Sequence, residues 1–355
     1  MKVAFLGTGL IAWAHSLALK AMADAGVAAV SIMSGYDRDF ARADQFAAVH
    51  GCRVAGSPQE ALEGAEAVWI CTSTAGHAGL LDLAIEAGVP VFCEKPLAHS
   101  LEGARAMAHA AGSARLTSQV GLVLRRSPVF VALRNLVSRG EHGRLMAVSF
   151  RDDQFFPVQG HYASTWRSQV GEAGGGTVIE HSIHDLDVLA WCLEEGAGAV
   201  RAVSAVTGNL AGYEGIEDQA VATLSFEEGP FASLVSVWHQ ILTRPSTRRV
   251  EAIFEKAIIW FDHDFAGSVH VLTERGEQVI EASAPQWVTG LPLPTGDIGL
   301  AIRMYAEQDR AFLEMVAAGE PAWPSLTDGV RAHQLVEAVY VSARSGGAPV
   351  DPRAL

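Results

Sequence analysis

Short apolar segments alternate with helix-like segments through the first 124 residues, and this alternation constrains the fold more than any other feature. Strands that are apolar along their whole length are buried on both faces, as in a parallel sheet covered by helices. The pattern therefore predicts a doubly wound α/β arrangement. The predicted strands are Lys2–Leu6, Ala28–Ser34, Ala67–Cys71 and Val89–Cys93, and the predicted helices are Leu10–Ala25, Asp39–His50 and His77–Ala87.

After about Leu124 the pattern changes to strands at hairpin spacing. Such a run predicts an open, mostly antiparallel sheet with helices on one face. We therefore predict two domains, a doubly wound α/β domain over residues 1–124 and an α+β domain over residues 125–355. The second domain is predicted to contain the strands Leu145–Arg151, Val200–Thr207, Ala220–Phe226, Phe231–Trp238, Arg249–Phe254, Ala257–Asp262, Val269–Thr273 and Glu277–Ala282, and the helices Pro128–Arg139, one from about Thr177, Ile302–Ala317 and Asp328–Ala343.

The composition excludes several classes of protein. The 355 residues include 26 Lys and Arg against 40 Asp and Glu, for a net charge of −14. A chain that is 49% hydrophobic and 19% charged is not intrinsically disordered. The carboxylates are scattered and no basic cluster is present, which disfavours nucleic acid as a partner. The four cysteines lack C-x-x-C spacing, so we interpret them as reduced thiols and expect a cytoplasmic protein.

The segment from Val3 to Leu19 carries no charged residue and follows Lys2, so it resembles an export signal or a membrane segment. Gly7 and Gly9 lie in the middle of this segment and would weaken a membrane helix. A strand, a glycine turn and a helix explain the segment better, and we expect no association with a membrane.

The glycine turn Gly7-Thr8-Gly9-Leu10-Ile11-Ala12 directly follows the first predicted strand. In this position Gly7 permits a tight turn, Gly9 lets the backbone approach a pyrophosphate, and Ala12 lets the helix pack on the strand. The helix start at Leu10 and Ile11 favours the binding of a negatively charged group. The motif predicts a dinucleotide site, with a purely structural glycine turn as the alternative.

Asp37 follows the second predicted strand, where a carboxylate can accept hydrogen bonds from the adenosine ribose of NAD. Its distance from the glycine turn is somewhat longer than the usual spacing. Arg38 can instead meet the 2′-phosphate of NADP. The sequence therefore favours NAD and leaves NADP as the alternative.

Glu94-Lys95-Pro96 ends the strand that follows the third helix. In open parallel sheets ligands bind at the carboxyl ends of the strands, which places Lys95 at the crevice. A solvated lysine is the alternative. We assign Glu94 and Lys95 to the cofactor site together with Thr72 and His77, which follow the preceding strand.

Residues 174–187 combine three glycines with a dense set of titratable side chains. Taken as one continuous helix, the segment places Glu180, His184, Asp187 and Trp191 on one face. A histidine flanked by carboxylates is suited to proton transfer near neutral pH. An ion pair on the helix surface is one alternative, and a metal site that includes His181 is another; we predict no metal.

The candidate substrate residues lie at the start of the second domain. Carboxylates beside aromatic rings suit a sugar, although the aromatic side chains could equally hold the loop in place. Arg125 and Arg126 could bind a carboxylate or a sugar acid, and we favour the interpretation as a solvated pair at a helix start. The loop candidates are Asp152, His161, Tyr162, Trp166 and Arg167, and the later strand adds Trp238 and His239.

Three motifs together resemble the glucose–fructose oxidoreductase, inositol dehydrogenase and MocA (Gfo/Idh/MocA) family. They are the glycine turn, Glu94-Lys95-Pro96, and the segment Gly-Gly-Gly-x-x-x-Glu180-x-x-x-His184-x-x-Asp187, in the family's order. The resemblance implies a Rossmann domain that binds NAD(P), a substrate domain on an open sheet, and oxidation or reduction of sugar or polyol carbons. It also implies a homodimer or homotetramer.

The same resemblance makes Lys95 the active-site lysine and His184 the acid/base. Glu180 stands where the family more often has Asp, and we expect it to orient His184. Asp187, with Lys95 and His184, completes the expected substrate contacts. Two other functions stay open: an NADPH-dependent reductase of ketosugars or small carbonyl compounds, and a dinucleotide sensor without catalysis.

Overall fold

A computed structural model describes residues 1–160, 162–244 and 246–355 of the chain. These residues divide into two compact units. The first unit comprises Met1–Val123 and Ala284–Val330, and the second comprises Leu124–Ser283 and Arg331–Leu355. The predicted division assigned everything after residue 124 to the second domain, so it differs in the placement of Ala284–Val330.

The first unit is built on a parallel sheet in the order β3-β2-β1-β4-β5-β6. Helical crossovers between parallel strands give this doubly wound arrangement, and the Rossmann prediction is confirmed. The elements are β1 (Lys2–Leu6), α1 (Leu10–Asp24), β2 (Ser31–Tyr36), α2 (Phe40–His50), β3 (Arg53–Val54), α3 (Pro58–Leu62), β4 (Ala67–Ile70), α4 (His77–Ala87), β5 (Val91–Cys93), α5 (Leu101–Ser113) and β6 (Ser118–Val120).

The second strand begins later than predicted because the end of α1 occupies the residues before it. Gly26 has a positive φ of 68°, and the amides of Val27 and Ala28 bond back to the carbonyl of Met22. This turn closes the C-terminus of the helix, as glycine caps do. Strand β2 therefore runs from Ser31 to Tyr36, and Asp37 follows it directly.

The second unit contains a sheet in the order β14-β13-β12-β11-β7-β10-β9-β8, in which β7 and β10 are parallel and the other neighbours antiparallel. The predicted α+β class of the second domain is confirmed. The elements are α6 (Pro128–Arg139), β7 (Leu145–Phe155), α7 (Val170–Ala173), a π-helix (Val178–Ser182), α8 (Ile183–Ala197), β8 (Val200–Gly208), β9 (Gln219–Phe226), β10 (Phe231–His239), β11 (Thr247–Phe254), β12 (Ile258–Phe261), β13 (Gly267–Thr273) and β14 (Gly276–Ala282).

Helices cover one face of the second sheet and leave the other face accessible. Phe130 of α6 packs on Phe150 of β7 and Phe261 of β12 in the buried layer. On the opposite face Phe231 and Ile253 remain exposed. The alternation of buried and exposed residues along β7, β9, β10 and β11 follows the two-residue period of a strand with one covered face.

The last helices are α9 (Gln286–Thr289), α10 (Gly296–Ala318) and α11 (Leu326–Arg344). Helix α10 belongs to the first unit because its apolar side packs there. Phe312 of α10 meets Trp69 of β4 edge-on, with 5.3 Å between ring centroids, and also contacts Phe92 of β5. No helix in the described ranges is both long and apolar enough to cross a membrane.

Candidate active site and dinucleotide site

The two glycines of the turn after β1 differ in why they are needed. Gly7 has a φ of +88°, and a Cβ there would lie 2.6 Å from the backbone carbon of Cys71. The protein itself therefore requires glycine at position 7. Gly9 has an ordinary φ of −74°, and a Cβ there would meet nothing within 4 Å. The packing of the chain gives no reason for glycine at position 9, which fits a cradle that a bound ligand fills.

The N-terminus of α1 supplies the anion-binding part of this cradle. No side chain of the described residues caps the helix, and no acidic residue lies in its first turn. Leu10 is half exposed and Ile11 partly buried, whereas Ala12 is completely buried against the sheet. Free amides at a helix start together with the helix dipole suit a phosphate group. The residues present thus fit the pyrophosphate of a dinucleotide.

Asp37 follows β2 and lies beside the glycine turn. Its Oδ2 accepts hydrogen bonds from the backbone amide of Thr8 at 2.8 Å and from the Thr8 hydroxyl at 3.2 Å. Its Oδ1 accepts the amide of Asp39 at 2.9 Å. These contacts hold the carboxylate at the end of β2, while the neighbouring Arg38 is exposed.

His77 joins the loops that follow β4 and β5. Its Nδ1 lies 2.9 Å from the carbonyl oxygen of Pro96, and its Nε2 lies 3.3 Å from that of Thr72. The ring is buried, and Thr72 is half-buried. His77 therefore connects the two loops that carry Thr72 and Lys95.

The carboxylate of Glu94 is held within the protein at both oxygens. Oε1 lies 3.0 Å from Nε2 of His15, and Oε2 accepts the backbone amide of Lys95 at 3.1 Å. His15 Nδ1 lies 2.7 Å from Asp309 Oδ1, which also accepts the indole N–H of Trp69 at 3.0 Å. These contacts hold the Glu94 carboxylate against His15 and the Lys95 backbone. Its direct contact with the cofactor stays a prediction.

His15 and Asp309 were not among the residues that the sequence indicated. His15 lies one helical turn beyond Ile11, so its spacing from the glycine turn is a visible signal. Asp309 lies 294 residues away from it, and only the packing of α10 on α1 brings the two side chains together.

In the second unit, Glu217 holds the start of the segment that carries the predicted acid/base. Its carboxylate accepts the amides of Gly176 at 2.8 Å and Val178 at 2.9 Å, and the Tyr340 hydroxyl at 2.9 Å. A Cβ on Gly176 would lie 1.8 Å from the Glu217 carbonyl oxygen. This close approach explains the glycine at position 176, and Glu217 is a further residue that the sequence did not indicate.

The prediction of one continuous helical face from Glu180 to Trp191 is wrong at its beginning. Val178–Ser182 forms a π-helix, and the α-helix starts only at Ile183. The wider turn shifts the direction of Glu180 relative to the residues that follow. Single π-turns inside α-helices are frequent at functional sites.

The three side chains predicted for catalysis and substrate binding on this segment are all buried. Arg167 donates from Nε to Glu180 Oε2 at 3.0 Å. Arg125 binds both oxygens of Asp187, at 2.9 and 2.7 Å, and is itself buried. The prediction that Arg125 is a solvated residue is therefore wrong, because Asp187 compensates its charge. The side chain of His184 is 8% exposed.

Asp152 lies in a buried cluster around Arg248. Arg248 donates to Asp185 at 2.7 Å and to Asp264 at 3.0 Å, and Asp152 lies 2.7 Å from His181 Nε2. Burial raises the pKa of Asp152 to about 6, against the charge of Arg248. Burial and the nearby Asp152 raise the pKa of Asp185 to about 7.

This cluster changes the interpretation of Asp152 and of His181. Asp152 is 1% exposed, which leaves its carboxylate facing Arg248 and His181. The Nε2 atom of His181 lies 2.7 Å from Asp152 Oδ2 and 2.9 Å from Nη2 of Arg248. Among the described residues, no group of three or more His, Cys, Asp or Glu side chains is arranged to hold a metal ion.

The aromatic residues of the loop before the glycines pack on their neighbours. Tyr162 contacts Phe155 with 5.2 Å between ring centroids, and burial raises the pKa of its hydroxyl. Trp166 stacks under the Arg167 guanidinium at 4.5 Å. The indole of Trp238 is buried, and His239 accepts the amide of Ile241. The remaining loop candidate, His161, lies outside the described residues.

Comparison with known proteins agrees with this fold. A doubly wound sheet with a ligand cradle at its first turn, combined with an open second sheet, defines a two-part dinucleotide-binding protein. Residues 1–122 match the family model described as "Oxidoreductase family, NAD-binding Rossmann fold". Residues 130–260 match the GFO/IDH/MocA C-terminal domain. The chain therefore belongs to the Gfo/Idh/MocA family of NAD-binding oxidoreductases.

Individual relatives are similar over most of the chain. The 1,5-anhydro-D-fructose reductase of Ensifer adhaerens is 28% identical over 269 residues, which is 75% of each protein. The inositol 2-dehydrogenase of Rhizobium meliloti (strain 1021) is 27% identical over 348 residues, 96% of each. A levoglucosan dehydrogenase solved with NADH and levoglucosan is 23% identical, with a TM-score of 0.85 over 99% of both chains. This last likeness shows a shared fold.

Proposed function

We propose that the protein transfers a hydride between NAD and a CH–OH carbon of a sugar, glycoside or polyol. The observation that carries this proposal is the open cradle at Gly9, in a chain that also holds Lys95 next to a buried Glu94. Family membership supports the oxidoreductase class, and relatives named for inositol and anhydrofructose support the substrate class.

In this proposal two residues carry the chemistry. His184, largely buried in the second unit, accepts the proton of the substrate hydroxyl. Lys95, in the first unit, stabilises negative charge on the oxygen from which that proton leaves. Glu180 orients the acid/base, and Arg167 holds Glu180 in place at 3.0 Å.

The cofactor is held by this chain's own groups in the first unit. Gly9 and the start of α1 receive the pyrophosphate, and Asp37 accepts the ribose hydroxyls. Thr72 and His77 shape the loop beside them. When bound, NAD supplies the hydride acceptor for oxidation of the alcohol.

Turnover with a panel of inositols, hexoses and glycosides tests the proposal. The protein and NAD⁺ are incubated with each compound, and NADH formation is followed by its fluorescence. We expect NADH from at least one polyol or sugar. Turnover confined to NADPH and ketosugars would favour the reductase instead, and tight NADH binding without any turnover would favour the sensor.

The position of Asp37 predicts a cofactor preference that can be reversed. Asp37→Ser removes the carboxylate that repels a 2′-phosphate, and Arg38 then meets that phosphate. We expect NADH affinity to fall and NADPH affinity to rise, each by about tenfold, or about 1.4 kcal/mol. Fluorescence titration with both cofactors measures the change.

Asp39→Ser is the matched control, because it removes a neighbouring carboxylate from the cap of α2 and leaves a good capping residue. Its cofactor preference should equal that of the wild type. Tighter binding of NADPH than of NADH by the wild type would contradict the role of Asp37.

The accessible face of the second sheet supports self-association as a homodimer or homotetramer. Five neighbouring strands place one apolar row across this face, with Ile253 of β11 at its centre and Ala147 of β7 beside it. The exposed members of the row are Phe231, Ile253, Ile258 and Leu272. Contiguous exposed apolar side chains of this kind mark interaction surfaces.

A charge in the middle of this row should break the assembly. Ile253→Asp is expected to shift the protein to a smaller species in light scattering, because a buried unpaired carboxylate is costly. Val49→Asp, which places the same charge on an exposed apolar position of α2, serves as the control and should leave the mass unchanged. An unchanged mass for Ile253→Asp would exclude this face.

A further inference from the structure

The side chain of His15 lies completely buried between two carboxylates of the first unit. Its Nδ1 faces Asp309 at 2.7 Å and its Nε2 faces Glu94 at 3.0 Å. Rings of Phe92 and Tyr305 pack around it, at 4.9 and 5.0 Å between centroids. Both nitrogens therefore face hydrogen-bond acceptors, and a neutral imidazole has only one N–H to donate.

The two carboxylates also require a positive charge. The Oδ2 atom of Asp309 is buried and has no hydrogen-bond partner among the described residues, and its Oδ1 is shared by His15 and Trp69. Burial opposes a charge on His15, but Asp309 and Glu94 outweigh it and raise its pKa to about 9. The two acceptors and this raised pKa together favour a doubly donating imidazolium at neutral pH.

Glu94 links His15 to the backbone of Lys95. One oxygen of Glu94 faces His15, and the other accepts the Lys95 amide. Gly121 also packs against Glu94. A Cβ at position 121 would lie 2.5 Å from Glu94 Oε1, so the carboxylate can occupy this position because residue 121 has no side chain.

We propose that His15, oriented by Asp309, is a positioning residue that fixes Glu94 and thereby the backbone of Lys95 for the hydride-transfer step. His15 lies on α1, the helix whose first turn forms the dinucleotide cradle, so the same helix positions the cofactor and Lys95. The inference rests on the proposed function for the role of Lys95.

A double-mutant cycle tests whether His15 acts through Glu94. His15→Gln removes one donor and the charge, and Glu94→Gln removes the charge of its partner. Each single change should lower kcat by about 10- to 100-fold, the scale for a small misplacement of a reacting group. Affinity for NADH, measured by fluorescence, should change less than about twofold, because the cradle itself is intact.

The double variant should be no slower than the slower single variant, since both changes break the same link. Independent effects that multiply would overturn the proposal, and so would a loss confined to NADH affinity. Ser34→Ala removes a different buried hydrogen bond of the same unit, to the Ala61 carbonyl at 2.6 Å, and should keep the wild-type kcat. An equal loss of kcat in this control would show a general effect of instability and would also overturn it.

Nitrogen NMR of the wild-type protein labelled in histidine gives a readout that needs neither substrate nor a folded variant. Both ring nitrogens of His15 should carry protons up to about pH 9. A bare ring nitrogen at neutral pH would contradict the inference even if the enzyme is active. Absence of turnover by the wild type would instead contradict the proposed function and leave this spectrum unchanged.

Discussion

His184→Ala and Lys95→Ala are each expected to lower kcat by about 10²- to 10⁴-fold, the usual contribution of a positioned acid/base or charge-stabilising group. The first loses the acceptor for the hydroxyl proton, and the second loses the positive charge beside the oxygen. Affinity for NADH should remain within about threefold of the wild type, because the cradle at Gly9 is untouched. Steady-state kinetics and fluorescence titration separate the two effects.

Exposed residues of the same types provide the controls. His109→Ala on α5 and Lys20→Ala on α1 remove a histidine and a lysine from exposed positions of the first unit. Both should retain wild-type turnover. If His184→Ala and Lys95→Ala turned over as fast as these controls, the assignment of catalytic roles would be wrong.

Gly9→Ala and Gly7→Ala are expected to change different properties, the first the affinity for NADH and the second the stability of the fold. At Gly9 the new methyl group meets no protein atom within 4 Å, so the fold should melt at the wild-type temperature. The methyl group enters the space proposed for the pyrophosphate, and NADH affinity should fall by about 10- to 100-fold, or about 1.4 to 2.7 kcal/mol. Wild-type NADH affinity in Gly9→Ala would contradict the cradle.

At Gly7 the methyl group would stand 2.6 Å from the backbone of Cys71 and would force a side chain onto a φ of +88°. Strain and overpacking of this kind cost about 1–3 kcal/mol each. We therefore expect a lower melting temperature for Gly7→Ala, seen by thermal denaturation without cofactor. Equal melting temperatures for Gly7→Ala and Gly9→Ala would contradict the conclusion that the fold requires glycine at position 7 and not at position 9.

Local sequence patterns predicted most of the first unit because its signals are short-range. The glycine turn and Asp37 lie at the ends of neighbouring apolar strands, so strand order alone brings them together. The short strands β3 and β6 were not predicted, since two or three residues carry no periodic pattern. Helix α10 has an ordinary amphipathic sequence, which says nothing about the sheet on which its apolar side packs.

The surroundings of the candidate site residues depend on contacts that no local sequence pattern shows. Glu180 and His184 were proposed from their spacing, whereas the π-helix begins at Val178, whose amide is held by the distant Glu217. Arg125 was interpreted as solvated because its partner Asp187 lies 62 residues away. Charge compensation across such distances has no local signal in a single sequence.

Transfer of deuterium from substrate to cofactor tests the central claim most directly. A polyol or sugar that supports turnover is labelled with deuterium at its CH–OH carbons and incubated with NAD⁺ and the protein. We expect the label on the nicotinamide ring of the NADH formed, and we expect His184→Ala to form this product at least about 100-fold more slowly. NADH without the label, or labelled NADH formed equally fast by His184→Ala, would contradict the central claim.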